Sequence, residues 1–459
     1  MREILFRLGD RYDQELAAET ARNLRTRYPF NDAWIEVIEI APGRLLLRVV
    51  TIDQWSLIGG LRSISRDGNE TDLRIGFEER NLLGRAQFVS FDIYKREKHP
   101  DYIETAYREP RIMGRPWAIG LAYRSDPHNT LKQVFLARPY YSLAQRMELG
   151  IQLEDAVVLQ RRLDASGNWV AEWTTREDRV GLSGGLRGGP VHRKIGLIAE
   201  YRYQSLRVED TVSYQTTLPG HDFPVDSTYH LVSLGATVRT QRFIVERRLR
   251  GFGYIEDIEL GSGLEFSSGR AFLPGFADHY YDQIIGTTLW TGKLGTNIIM
   301  AGYSRFYWIK SGKELRRGTL LDMIWYNNAL PFVTFVARSH YESDRGGAFQ
   351  HLVLGGKSGL RGYPTEYAAG DRLHVINMES RFFTGLELLS VKIGAALLAD
   401  IGRTWQGRDP LTINGYHWSV GAGLRLSLEN LLRGEIIRAD LVRTEDDTWD
   451  VSLGTGHYF

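Results

Sequence analysis

From Trp55 to the end of the chain, apolar residues recur at every second position in short segments, and no stretch keeps a helical period. This alternation constrains the fold more than any other feature, because the side chains of a strand point alternately to its two faces. Residues 71–79 (TDLRIGFEE) put Leu73, Ile75 and Phe77 on one face, and residues 87–95 do the same with Val89, Phe91 and Ile93. Asp67-Gly68 and residues 81–85 supply hairpin turns between such segments. Longer polar insertions at 96–101, 161–168, 209–227 and 406–416 alternate with short links at 384–385 and 431–434. Long loops on one side and short turns on the other are how transmembrane β-barrels are built. The mean hydropathy of −0.29 and the lack of a long apolar run exclude transmembrane helices. They leave a barrel open, since alternating strands average to a polar value. The 12% aromatic content and 48 glycines suit interfacial girdles and tight turns.

Residues 1–53 read differently, as a small α+β unit ahead of a barrel over residues 54–459. Asp13 is placed to cap a helix running to Arg27, with Leu16, Thr20 and Leu24 on one face. Two strands follow at 34–40 and 44–51, turned at Ala41-Pro42-Gly43. Met1 is followed by Arg2-Glu3-Ile4 without an apolar signal segment, so the start is read as mature or truncated.

Residues 351–371 (HLVLGGKSGLRGYPTEYAAGD) hold five glycines and a proline, too many for a plain strand or helix. Their centre, Leu360-Arg361-Gly362-Tyr363, suggests a guanidinium carried deep into the structure, with the glycine allowing close backbone approach. Further on, Asp400 lies alone in the apolar run Leu398-Ala399-Asp400-Ile401-Gly402. Such an acid needs a cationic or hydrogen-bonding partner, and Arg361 is the candidate. The four-residue pattern alone is weak, because Leu249-Arg250-Gly251-Phe252 matches it and Leu186-Arg187-Gly188 comes close. Arg250 follows Arg247 and Arg248, and such a basic run reads as a solvated face. The order is specific: a glycine-rich loop with LRGY, an acid at Glu379 on the next strand, then D-x-G at Asp400.

In that order the chain resembles the outer-membrane assembly-factor superfamily, which includes BamA-type insertases and two-partner-secretion transporters. The resemblance implies an all-β, 16-stranded antiparallel barrel, at about 25 residues per strand and its share of loop. It implies that the sixth extracellular loop folds back into the lumen, with Arg361, Gly362 and Tyr363 at its tip and Glu379 and Asp400 as the partners of Arg361. The run EERNLLGRAQ looks like the turn after the family's second strand. Residues 1–53 resemble the second half of a POTRA domain, the family's periplasmic module. The closing segment, 448–459, alternates Trp449, Val451 and Leu453 and ends on Tyr458-Phe459, which resembles the recognition signal of outer-membrane barrels. A lateral seam is expected between first and last strands, with Gly59 and Gly60 on one side and Leu453 and Phe459 on the other; glycines there weaken pairing.

The expected function is insertion or folding of barrel clients in the outer membrane of a Gram-negative bacterium, without ATP or cofactor. A polypeptide-secretion pore is the alternative, and a passive porin-like barrel a third reading. The partners expected are the lipid bilayer, unfolded outer-membrane or secreted clients, and periplasmic accessory proteins. A net charge of +1 argues against nucleic acid, and the absence of cysteine excludes disulfides and thiolate metal sites. No catalysis is indicated. Residues 181–185 (GLSGG) fit a hydrolase elbow but lack a following helix, and Gly356-Lys357-Ser358 lacks the leading glycine of a phosphate loop. The eleven histidines are scattered, and Glu445-Asp446-Asp447 reads as a solvated loop.

Overall fold

Period-two segments can bury one face only by pairing with like neighbours, and pairing of this kind runs through most of the molecule. A computed structural model describes residues 3–28, 30–67, 70–97, 100–126, 129–163, 169–213, 226–273, 280–310, 312–346, 352–407, 412, 414–428 and 435–459. Gly68, His351, the link at 431–434 and most of the insertions at 161–168 and 209–227 lie outside them. Among the described residues, twenty-one strand segments succeed one another around a closed antiparallel barrel. Ser227–Thr240 and Arg242–Glu246 are two pieces of one strand, since both face Glu256–Phe272, which leaves twenty strands. Sixteen were expected. The excess arises where Tyr102–Glu109, Ala118–Ser125 and Leu131–Arg138 span only 8 residues each, so the chain crosses more often than an even division of its length allows.

The two faces separate as the alternation requires. Leu182, Leu186, Ile195, Leu197 and Leu234 stand exposed on the outer wall. At alternate positions Arg179 pairs with Glu154, and Arg187 donates to backbone carbonyls. An outer apolar band around a charged interior is the pattern of a barrel that sits in lipid. No helix among the described residues is long and apolar enough to cross a membrane.

The N-terminal residues form the helix Gln14–Arg27 and the hairpin Phe30–Ala41 and Arg44–Asp53. Asp13 caps the helix by accepting the amides of Glu15 and Leu16 at 2.8 and 3.2 Å. Gly43 turns the hairpin at φ +71°. The helix lies against the barrel end that carries the short turns. There Glu19 accepts the Leu143 amide at 2.6 Å, Asn23 donates to the Tyr141 carbonyl at 3.3 Å, and Arg25 pairs with Asp257. Burial pushes the Glu19 carboxyl above its ordinary range, although the Leu143 amide and Arg22, Arg27 and Arg187 draw it back.

Two loops enter the lumen from opposite ends. From the end with long loops comes the outer loop, described over residues 352–371, between the strands Val333–Arg345 and Arg372–Leu388. From the helix end comes an inner loop, residues 247–255, between Arg242–Glu246 and Glu256–Phe272. Leu249 of the inner loop is buried against Ile258, Ile298, Tyr326 and Val336 of the barrel wall. The Phe252 ring meets Phe383 edge-on at 5.1 Å, so this loop reaches the strand Arg372–Leu388.

Candidate functional site

The outer loop reaches the centre because its glycines let the backbone come close. Gly359, at φ +106°, would place a Cβ 2.8 Å from Val375, and Gly362, at φ +83°, one 3.2 Å from Thr444. Any side chain at these positions would lift the loop off the wall. Leu360 and Tyr363 anchor it in an apolar cluster with Leu354, Leu373 and Val375. The Tyr363 hydroxyl donates to the Trp418 carbonyl at 3.0 Å, and burial beside Glu445 pushes this phenol above its ordinary pKa.

Between these anchors the Arg361 guanidinium is completely buried. It grips Asp400 with two parallel bonds, Nε to Oδ2 at 2.7 Å and Nη2 to Oδ1 at 2.8 Å. Its Nη1 donates to Glu379 at 2.8 Å and to Asp440 at 3.3 Å. Burial alone would favour the neutral form, but Asp400, Glu379 and Asp440 outweigh it and hold the group firmly charged. Asn377 steadies Asp400 at 2.8 Å and also donates to the Gly359 carbonyl at 2.8 Å.

The ion pairs extend well beyond this triad. Arg381 meets Glu379 at 2.8 Å, Arg425 bonds Asp440 and meets Glu379 at 3.2 Å, and Arg438 meets Asp440 at 3.0 Å. Sequence reasoning missed Arg381, Arg425, Arg438 and Asp440. A signal was present in the pairs Glu379/Arg381 and Arg438/Asp440, each two residues apart and so on one face of a strand. Arg381 also donates to the Leu249 carbonyl at 2.9 Å, which ties the network to the inner loop. Arg250 itself stays exposed. Its loop is held by Glu256, which accepts the amides of Leu249 and Arg250 at 2.9 and 3.0 Å.

The seam differs from the sequence-based expectation. Among the described residues, the closing strand Trp449–Thr455 makes seven residue pairs with the strand before it but one, Leu453 with Arg66, with the opening strand Leu57–Asp67. The opening strand makes ten pairs on its other side. Leu453 is therefore at the junction, while Gly59 and Gly60 are not opposite the closing strand and pair instead with Phe77 and Gly76. In the register set by Leu453 and Arg66, the closing strand ends before it could reach them. Phe459 also leaves the junction. Gly456, at φ +76°, turns the chain off the wall, and residues 456–459 enter the lumen. There the Tyr458 ring lies 4.2 Å from the Arg361 guanidinium, and Arg381 donates to the Phe459 carbonyl at 3.2 Å. Residues 181–185 run through the strand Trp169–Gly188 and make no elbow.

These features define a transmembrane-type barrel with a folded-in outer loop, an ion network across its lumen and one sparsely paired junction. No protein-family model and no curated protein matches the chain. Among solved structures it is similar to BamA from Haemophilus ducreyi lacking POTRA domains 1–3, at 12% identity over 99% of this chain and 80% of that one, with a TM-score of 0.42. CdiB from Escherichia coli is similar at 13% identity over 99% of this chain and 73% of that one, with a TM-score of 0.47. CdiB from Acinetobacter baumannii gives 11%, 99%, 69% and 0.46 for the same quantities.

Proposed function

We propose that this protein inserts or folds other barrel proteins in the outer membrane of a Gram-negative bacterium, by parting the junction between its opening and closing strands. One observation carries the reading: among the described residues that junction holds by a single residue pair, whereas the flanking pairings hold by ten and seven. Strand edges freed there present unpaired N–H and C=O groups, and an extended client segment can pair with them. No ATP or cofactor enters such a step, since each client strand added satisfies its own backbone groups as it leaves water.

The lumen supports this choice over a secretion pore. An extended polypeptide passing through it would have to displace both the outer loop and the inner loop, and with them the buried network around Arg361. The same two obstructions argue against a passive porin. Residues 1–53 act, in this reading, as a POTRA-like module on the periplasmic side, where clients and accessory proteins arrive. The test is a disulfide across the junction, Arg66→Cys with Leu453→Cys, in a chain with no native cysteine. In proteoliposomes, client insertion should be lost on oxidation and regained on reduction. Insertion that is equal in both states would rule the proposal out.

A further inference from the structure

Cations that face outward near the rim of the long loops are treated in two ways around this barrel. On one part of the wall they are neutralised in place. Asp155 takes Arg176 at 3.0 Å and Lys132 at 3.4 Å, Asp178 takes Arg207 at 3.5 Å, and Asp282 takes Arg270 at 2.7 Å. Arg176 and Arg207 stand directly opposite one another on paired strands, and each has its own acid. Like charges set opposite each other on one sheet face repel, so that position needs the acids.

The strands Asn297–Lys310, Lys313–Leu330 and Val333–Arg345 repeat that juxtaposition without the acids. Arg317 stands directly opposite Arg345, and Arg305 lies one outward position further in, opposite Thr319. All three face out, because Ile298, Tyr326 and Val336 on the same strands face the lumen against Leu249 and lie an odd number of residues away. Among the described residues Arg305 and Arg345 form no ion pair, and Arg317 has Glu314 alone, at 3.5 Å on its own strand. Arg345 reaches the Gly407 carbonyl at 3.4 Å, which Arg372 also takes at 2.5 Å, and Asp371 on the same rim accepts the Gly407 amide at 3.3 Å. Beside Arg305 the wall is hollow: a Cβ on Gly286, its partner across the sheet, would meet only open space, and Thr319 on the other side offers a hydroxyl. Toward the middle of the barrel, Tyr303, Leu321, Met323 and Phe335 stand exposed on the same outer face.

We propose that Arg305, Arg317 and Arg345 hold the phosphate-bearing headgroup of a lipid in the outer leaflet, with its acyl chains along the apolar wall below. Guanidinium groups suit this ligand, since their paired N–H donors match phosphate oxygens. Three adjacent strands place them within about 10 Å of one another, the reach of a single headgroup. The phosphate then does for Arg317 and Arg345 what Asp155 and Asp178 do for Arg176 and Arg207. The occupant is a lipid and not a soluble anion, because the cations stand directly above an exposed apolar surface. The inference requires that the barrel sits in a membrane, and it holds whatever the barrel does to its clients.

The experiment titrates the full chain in neutral detergent with dioleoyl phosphatidic acid or dioleoyl phosphatidylcholine and counts bound lipid by native mass spectrometry. Phosphatidic acid should fill one saturable site, at least about tenfold more tightly than phosphatidylcholine. Arg305→Gln, Arg317→Gln and Arg345→Gln together should abolish that preference. Arg176→Gln, Arg207→Gln and Arg270→Gln together, on the part of the wall with its own acids, should leave it intact. A preference that survives the first set of substitutions, or is lost equally with the second, overturns the proposal. Inorganic phosphate in large excess should not displace the lipid; displacement would mark a site for a free anion and overturn the proposal too. A second measurement needs no variant and so covers the case in which the substituted chains fail to fold. Phosphatidic acid should raise the thermal midpoint of the native chain and phosphatidylcholine should not. Equal midpoints with the two lipids contradict the assignment.

Discussion

Two loops of this barrel carry the same four-residue pattern and treat its arginine in opposite ways. In Leu360-Arg361-Gly362-Tyr363 the guanidinium is fully buried among three carboxylates. In Leu249-Arg250-Gly251-Phe252 the leucine takes the buried place, the arginine stays exposed, and Glu256 holds the backbone instead. The difference comes from what stands opposite. The outer loop faces Glu379, Asp400 and Asp440, whereas the inner loop faces the apolar ring of Ile258, Ile298, Tyr326 and Val336. An arginine enters a lumen only where acids on the wall offset its loss of water. The pattern supplies a tight, glycine-permitted turn, and the wall decides which side chain goes in.

The comparison breaks first at Arg361. Arg361→Ala removes the bidentate partner of Asp400 and leaves it with the Asn377 side-chain amide and the backbone amide of residue 361. Stranding one member of a buried pair costs roughly 3–5 kcal/mol. Arg250→Ala, at an exposed site, should change stability by no more than about 0.5 kcal/mol. Denaturant titrations in detergent, followed by heat-modifiable gel migration, separate the two. Equal effects would mean that the two loops are not different in kind.

A smaller effect is expected at the inner loop's own anchor. Glu256→Ala leaves the amides of Leu249 and Arg250 without their acceptor, at a cost of about 1–3 kcal/mol. Hydrogen exchange at those two amides should speed up, while the amides around Arg361 keep their protection. If the outer loop exchanges faster too, the loops are one cooperative unit, and the contrast between them is false.

The smallest effect concerns the helix that lies beside the inner loop. A carboxyl whose pKa is raised on docking, as that of Glu19 is, holds its proton more tightly when docked. Docking is therefore favoured at low pH and weakens as the pH rises through the raised value. Glu19→Gln keeps an acceptor for the Leu143 amide and removes the titration. Limited proteolysis near residues 28–30 should then lose its pH dependence, with protection at neutral pH as good as at acid pH for the native chain. A dependence that survives the substitution would place its origin elsewhere.

The barrel and the inner end of the outer loop were legible because each rests on a local contradiction in the sequence. Strands must alternate, and a lone acid in an apolar run must have a partner, which is why Asp400 pointed to Arg361; Glu379 followed from the order of the motif and the family resemblance. Arg438-Ala439-Asp440 carried no such contradiction, since a charged pair at alternate positions also describes a solvated strand. The inner loop was hidden for the same reason, because Arg247 and Arg248 do stay near water while Leu249 goes in. The junction was misread at Gly59, Gly60 and Phe459 because pairing across it depends on barrel stagger. That is a property of all the strands together, not of these two alone. The strand count failed because eight-residue crossings leave no more trace in the alternation than longer ones do.

The proposed insertion route requires that the junction moves while the lumen stays shut, and one tether tests this most directly. Phe252 and Phe383 meet at 5.1 Å, so Phe252→Cys with Phe383→Cys, joined by a short bismaleimide, fastens the inner loop to the strand Arg372–Leu388. If clients leave through the junction, the tethered barrel should insert them at the untethered rate. If tethering abolishes insertion, polypeptide passes through the lumen, and the junction is not the exit.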